Sequence, residues 1–320
     1  MTAKPKKLKA PFVYPGGKSR IADMVWSRLG ETWHYVEPFC GSASMLLGCP
    51  WTHKLEVIND QNLYVANFWR ALQSQPDEVL KYCDLPCVHI ELSARHRWLL
   101  EPTRVAELRE KLLNVEYPGD AKMAGWWVWG MAHWIGSDWA SKTPRSSVPN
   151  IGNAGIGVGK QLGTIPHISN AGRGVGKQAG VLGQWINQLS QRLRHVRVVN
   201  GSWERCLNFN YGGNDCYGNG SVSFFFDPPY KGFENLYKDQ VPVACEVEKW
   251  CLEHGNNPKL RIALCGFEGD YDLPEWKQVA WKRGAGFNGS TKTATREVVW
   301  FSPHCLPSEI QGELDVQAQS

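Results

Sequence analysis

With 320 residues, 42% of them hydrophobic, the chain is long enough to bury a full-sized core, as one large domain or as one domain carrying an inserted second. Ten scattered Cys exclude a small disulfide scaffold. With no secretory leader and no apolar run near the roughly 20 residues of a membrane span, they predict a cytoplasmic protein with free thiols and no membrane partner. The formal charge of +4 is too small to name a polyanionic partner, but it is unevenly placed: between Asp138 and Asn200 the acid Asp138 stands against Lys142, Arg145, Lys160, Arg173, Lys177, Arg192, Arg194 and Arg197.

In chain order, the first predicted unit is Tyr35 to Ser44, read as strand (Tyr35 to Glu37), tight turn and helix start. There Gly41 permits close backbone approach and Ser42 is placed to cap. A second apolar strand, Leu55 to Ile58, runs into Asn59-Asp60, nineteen residues beyond Gly41. An acid at that place can accept bonds from a ribose diol, and because the turn lacks a full Gly-x-Gly-x-x-Gly it implies a single phosphate-free nucleoside. A helical pattern, Gln61 to Leu72, follows.

Between about Gln75 and Leu193 the strand-helix alternation stops. The segment turns Trp-rich (Trp126, Trp127, Trp129, Trp134, Trp139), which reads as a helix packed into a core, and then Gly-rich. Cys83 and Cys87 lack a second Cys/His pair at finger spacing, so no metal is predicted. The stretch from Pro149 to Gln161 recurs from Pro166 to Gln178. Gly159-Lys160 and Gly176-Lys177 resemble the end of a nucleotide loop, but Ala154 and Ala171 stand where its first Gly belongs, and Gln replaces the magnesium-holding Ser/Thr. An ATP site is thereby rejected. What remains is a surface loop, or a pair of loops whose N–H groups and lysines meet nucleic-acid phosphates.

Apolar strands resume at Val196 to Val199 and Val222 to Phe226, the latter leading directly into Asp227-Pro228-Pro229-Tyr230. At the carboxyl end of a central strand this tetrapeptide lies where open α/β sheets bind ligands. Two prolines stiffen the turn and remove two donors. The Asp227 carboxylate and the Pro228 carbonyl can accept both N–H bonds of an exocyclic amine, while Tyr230 offers a stacking face. A helix over Cys245 to Glu253 and strands at Arg261 to Cys265 and Val298 to Phe301 complete a mostly parallel α/β sheet.

Taken together and in order, Tyr14-Pro15-Gly16-Gly17-Lys18, Glu37-Pro38-Phe39-Cys40-Gly41, Asn59-Asp60 and, after a large insert, Asp227 to Tyr230 resemble the Dam-like adenine-N6 DNA methyltransferases over about Pro11 to Pro303. The resemblance implies a Rossmann-like methyltransferase sheet with an inserted target-recognition domain, S-adenosylmethionine as cofactor and double-stranded DNA as partner. It implies a cytoplasmic protein encoded by a bacterium or phage, a monomer or weak dimer. The domain boundaries that follow are 1–74 and 194–303 for the catalytic domain, 75–193 for the recognition region and 304–320 for a polar tail.

By the same resemblance, Tyr14 and Lys18 flank the methionine end of the cofactor, Glu37, Phe39 and Gly41 line it, Asp60 holds its ribose and Trp203 packs on its adenine. Asp227 bridges cofactor and target amine, acting with Pro228, Pro229 and Tyr230 on a base flipped out of the duplex. Lys142, Arg145, Lys160, Arg173 and Lys177 grip DNA. Two residues depart from the family pattern: Ala43 replaces a second Gly, where its β-carbon could crowd the cofactor, and Trp203 replaces a Phe or Tyr. The sequence leaves open the same chemistry on RNA or cytosine N4, and a non-catalytic DNA-binding protein on this scaffold.

Overall fold

The computed structural model describes residues 7–14, 16–86, 89–133, 139–140, 181–207, 220–230, 243–281 and 297–307. Among them, seven strands form one sheet: β1 (His34–Glu37), β2 (Leu55–Asp60), β3 (Val196–Asn200), β4 (Val222–Phe226), β5 (Leu260–Phe267), β6 (Lys277–Trp281) and β7 (Glu297–Phe301). Their order is β3-β2-β1-β4-β5-β7-β6; β1 to β5 pair in parallel, and β7 runs antiparallel to both neighbours.

All five side chains of β4 and of β7 are buried, which is why both read as unbroken apolar runs rather than as alternating strands. The pleat nevertheless sorts them. Phe225 enters one core with Tyr35 and Ile58, while Phe224 and Phe226 enter the other with Val36 and Val57. Strand β6 was not legible as an apolar run because it lies on the sheet edge with Lys277 and Gln278 exposed.

Helices cover both faces. On the first lie α1 (Ala22–Leu29), α2 (Ser44–Gly48), α3 (Leu63–Ser74) and the helices between β2 and β3: α4 (Pro76–Cys83), α5 (His89–Leu99), α6 (Pro102–Leu113), α7 (Ala121–His133) and α8 (Leu182–Leu193). The second carries α9 (Val243–His254). Helix α1 buries Ala22, Val25, Trp26 and Leu29, one stripe at helical spacing, and ends at Gly30 with φ of 61°. Helix α3 is started by Asn62, whose side chain accepts the Tyr64 N–H, and is buried all along Tyr64 to Leu72 because other helices close over it.

One of these is α7. Its Trp127 lies 4.8 Å edge-on from Phe12 and parallel to Tyr64 at 6.5 Å. Asn67 of α3 accepts the Asp120 N–H at 2.7 Å and donates to the Asp120 carbonyl at 3.0 Å. Gly119, at φ +90°, lets the chain pass so close to α3 that a β-carbon would stand 2.6 Å from the Ala71 nitrogen. The Trp-rich helix therefore joins the same core as the sheet, with Trp129 donating to the Leu85 carbonyl.

Helix α8 is fixed by a buried ion pair. Arg192 donates to both oxygens of Glu56 on β2, one of them at 2.8 Å, and to the Leu46 carbonyl of α2 at 3.2 Å. His53 bonds the same carboxylate at 3.1 Å and stacks on Tyr35.

Candidate active site

After β1 the chain moves outward through β2 and β3 and then returns to place β4 on the other side of β1. That reversal opens a crevice at the carboxyl ends of β1 and β4, the usual ligand site of an open α/β sheet. Glu37 ends β1, Asp60 ends β2, Trp203 opens the 3-10 turn after β3 (Trp203–Cys206), and Asp227 follows β4. Four candidates that lie far apart in sequence are thus brought to one edge.

A buried ion pair there joins residues 209 positions apart. Lys18 Nζ donates to Asp227 Oδ2 at 2.8 Å and to the Gly16 carbonyl at 2.7 Å. The lysine side chain is 2% exposed and the Asp227 side chain 18%. Burial alone would lower the pKa of this ammonium, yet the adjacent Asp227 charge and hydrogen bond, with smaller contributions from Cys265 and Glu297, hold it above the ordinary lysine value. The lysine is rooted by its own N–H, which donates to Ser44 Oγ at 3.2 Å.

Tyr230 donates its hydroxyl to Asp227 Oδ1 at 3.1 Å and meets Phe267 edge-on at 4.7 Å. Its phenol is raised far above the usual range by burial first and the Asp227 charge second, so it stays a donor. Pro228 is buried and Pro229 exposed.

The turn after β1 is built around Gly41 at φ +46°, where the ring of Tyr14 lies against its Cα. The Gly41 N–H donates to Asp60 Oδ2 at 2.9 Å, the Asn62 N–H to Asp60 Oδ1 at 2.8 Å, and Trp69 donates to the Gly41 carbonyl at 2.9 Å. Burial raises the Asp60 carboxyl to about 6 against the two N–H bonds that pull it down. Phe39 and Trp203 border the second core; Trp203 is 6% exposed and stands edge-on to Phe226 at 5.9 Å.

Ser42 does not cap α2. The helix begins one residue later behind Ala43, which makes no side-chain cap, and the N–H of Leu46 in its first turn is taken by Glu37 Oε2 at 3.3 Å. The same oxygen accepts the Tyr35 hydroxyl at 2.9 Å. Burial pushes Glu37 up to about 8 despite these bonds, with Asp227 and Asp60 adding to the rise. Glu37 thus supports the turn from behind. Ala43 is fully buried in the first core, in left-handed backbone with φ of 49°, so the cost of lacking a Gly falls on the backbone, at about 1–2 kcal/mol.

Trp281, at the end of β6, was absent from the sequence reading. Its ring centre lies 6.0 Å from Lys18 Nζ, and that of Tyr230 lies 5.2 Å from the same atom. No motif announces it, because an edge strand reaches the site only through the fold.

Lys142, Arg145, Lys160, Arg173 and Lys177 lie outside the described residues, as do Pro15, Cys87 and Trp134. Residues 75–133 carry nine acids and seven bases, so the basic excess of the 75–193 segment belongs to the chain beyond them. No helix among the described residues is long and apolar enough to cross a membrane.

Residues 14–89 match the family model of the D12 class N6 adenine-specific DNA methyltransferases, the family the ordered motifs resemble. The matched span runs from Tyr14 through β1 and β2 to the start of α5, and supports DNA adenine methylation as the general activity. Among curated proteins, none matches the chain.

Proposed function

We propose, from the D12-class match over residues 14–89 and the geometry at the β1/β4 crevice, that the chain transfers a methyl group from S-adenosylmethionine to N6 of an adenine flipped out of double-stranded DNA. The observation that carries this reading is the Lys18–Asp227 contact, which joins the Tyr14–Lys18 motif to the tetrapeptide carboxylate.

The residues present suit such a cofactor. A desolvated ammonium, Lys18, suits its carboxylate, and a carboxylate at the end of β2, Asp60, suits a ribose diol. The aromatic residues Phe39 and Trp203 suit its adenine, with Tyr14 and Gly41 closing the wall and Glu37 stiffening the turn. When bound, it supplies an electrophilic methyl group, so the chain needs no covalent nucleophile.

What the protein must supply is alignment, together with a better nucleophile. The lone pair of an arylamine is delocalised into its ring; Asp227 and the Pro228 carbonyl, accepting its two N–H bonds, favour the pyramidal nitrogen of the transition state. A duplex hides that nitrogen from in-line attack. Tyr230 would replace the stacking lost on flipping, and the 75–193 segment, with Lys142, Arg145, Lys160, Arg173 and Lys177, would grip phosphates and read the groove.

The test is labelled methyl transfer to duplex DNA lacking N6-methyladenine, followed by nucleoside analysis, with Asp227→Ala as the comparison. N6-methyladenine as product, lost by several orders of magnitude in the variant, is the expected result. Product at cytosine N4, transfer confined to RNA, or near-normal turnover by Asp227→Ala would overturn the assignment.

A further inference from the structure

The Lys18 ammonium has three N–H donors. Two are committed, to the Gly16 carbonyl and to Asp227 Oδ2, and the rings of Tyr230 and Trp281 flank it. Asp227 is engaged on both oxygens, Oδ2 by Lys18 and Oδ1 by the Tyr230 hydroxyl. A carboxylate whose charge is already compensated by a buried ammonium at 2.8 Å is a weakened acceptor for a neutral amine. The group assigned to orient the target is therefore held by the group assigned to the cofactor.

We propose that Lys18 is a positioning residue that couples the two halves of the site. It pairs with Asp227 and exchanges that carboxylate for the one on the methionine end of the cofactor, so that Asp227 turns to the target amine only after the cofactor is seated. This rests on the reading of the site as one for S-adenosylmethionine. The step moves no proton and breaks no covalent bond; one ammonium changes its anionic partner. Its thermodynamic consequence is reciprocal: cofactor and target amine each strengthen the binding of the other, and Asp227 competes with the cofactor for Lys18 when no target is present.

Calorimetry with two probes tests the exchange. S-adenosylhomocysteine carries the carboxylate; 5′-methylthioadenosine keeps the nucleoside and lacks it. Asp227→Asn removes the competing charge at nearly constant shape. S-adenosylhomocysteine then binds about fivefold tighter or more, the lower end of measured couplings, and 5′-methylthioadenosine is unchanged. In a Lys18→Met background the same Asp227→Asn change no longer alters either affinity, as a double-mutant cycle requires. If Lys18→Met does not fold, the two probes on Asp227→Asn still decide.

Unchanged or weaker S-adenosylhomocysteine binding by Asp227→Asn overturns the exchange, as does equal tightening of both probes, which would mark the ion pair as a plain structural staple. A parent protein that binds neither probe removes the cofactor reading and the exchange with it. A parent that binds the first probe without the Asn effect removes the exchange alone.

Discussion

Replacing Gly41 by Ala tests the turn on which the proposed cofactor site rests. At φ +46° the new residue is left-handed, a conformation that costs about 1–2 kcal/mol with a β-carbon. That β-carbon would also stand 2.5 Å from Tyr14 Cδ1 and 2.9 Å from Cε1, well inside contact distance. The ring has to leave its place, and overpacking of this kind costs about 1–3 kcal/mol.

The two parts together predict a loss of about 2–5 kcal/mol. At roughly 2–4 °C per kcal/mol for a domain somewhat smaller than this one, Tm falls by roughly 4–20 °C, read by circular dichroism. The contributions separate in a cycle. In a Tyr14→Ala background the steric part vanishes and Gly41→Ala costs only the backbone share, about 1–2 kcal/mol. Equal stability of Gly41→Ala and the parent, or the same cost with and without the Tyr14 ring, would refute the reasoning.

Two further outcomes follow from the described contacts and a third from the sequence. Burial raises the folded-state pKa of Glu37 to about 8, above the ordinary glutamate value, so the folded protein binds the proton more tightly than the unfolded chain. Its contribution to stability is full at acid pH and is lost as pH rises toward 8; Glu37→Gln should flatten that decline in urea titrations across pH 5 to 8, and a parallel decline in the variant would count against it. Glu56→Gln strands the buried Arg192 guanidinium and should cost about 3–5 kcal/mol, far more than a surface pair, measured by chemical denaturation. For the repeated Gly-rich segments, changing Lys160 and Lys177 together to Ala should lower the slope of log DNA affinity against log salt by about 2, alike on all sequences; overlaying salt titrations would exclude phosphate contact.

Much of the crevice was legible because its chemistry is local: Glu37, Asp60 and Asp227 each sit at the end of an apolar run, and run ends mark strand ends. The helices around the notable strands were read less completely. Asn62 and Glu101 cap α3 and α6 by local rules, but α4, α5 and α6 fall within a stretch where Trp and Gly composition dominated the reading. What stayed hidden is non-local. Glu56 meets Arg192 across 136 residues, and Trp281 approaches Lys18 only because β6 pairs with β7 at the sheet edge. Glu37 shows a third limit: its motif marked the right turn, but only the position of α2 reveals that its carboxylate caps that helix.

The Lys18–Asp227 contact spans 209 residues of chain. During synthesis, Lys18 emerges with the first helix, whereas its counter-ion appears only after residues 75–193 and β3 have been made. A nascent chain halted before β4 can pair β1 with β2 and β2 with β3, but the strand that delivers the anion is missing, and burying Lys18 without it is costly. Closure of the crevice is thereby a late event in the birth of the molecule. A fragment ending before Asp227 keeps both partners of the Gly41–Asp60 bond yet exposes a lysine whose acetylation or protease sensitivity would report, residue by residue of extension, when the Lys18–Asp227 pair is completed.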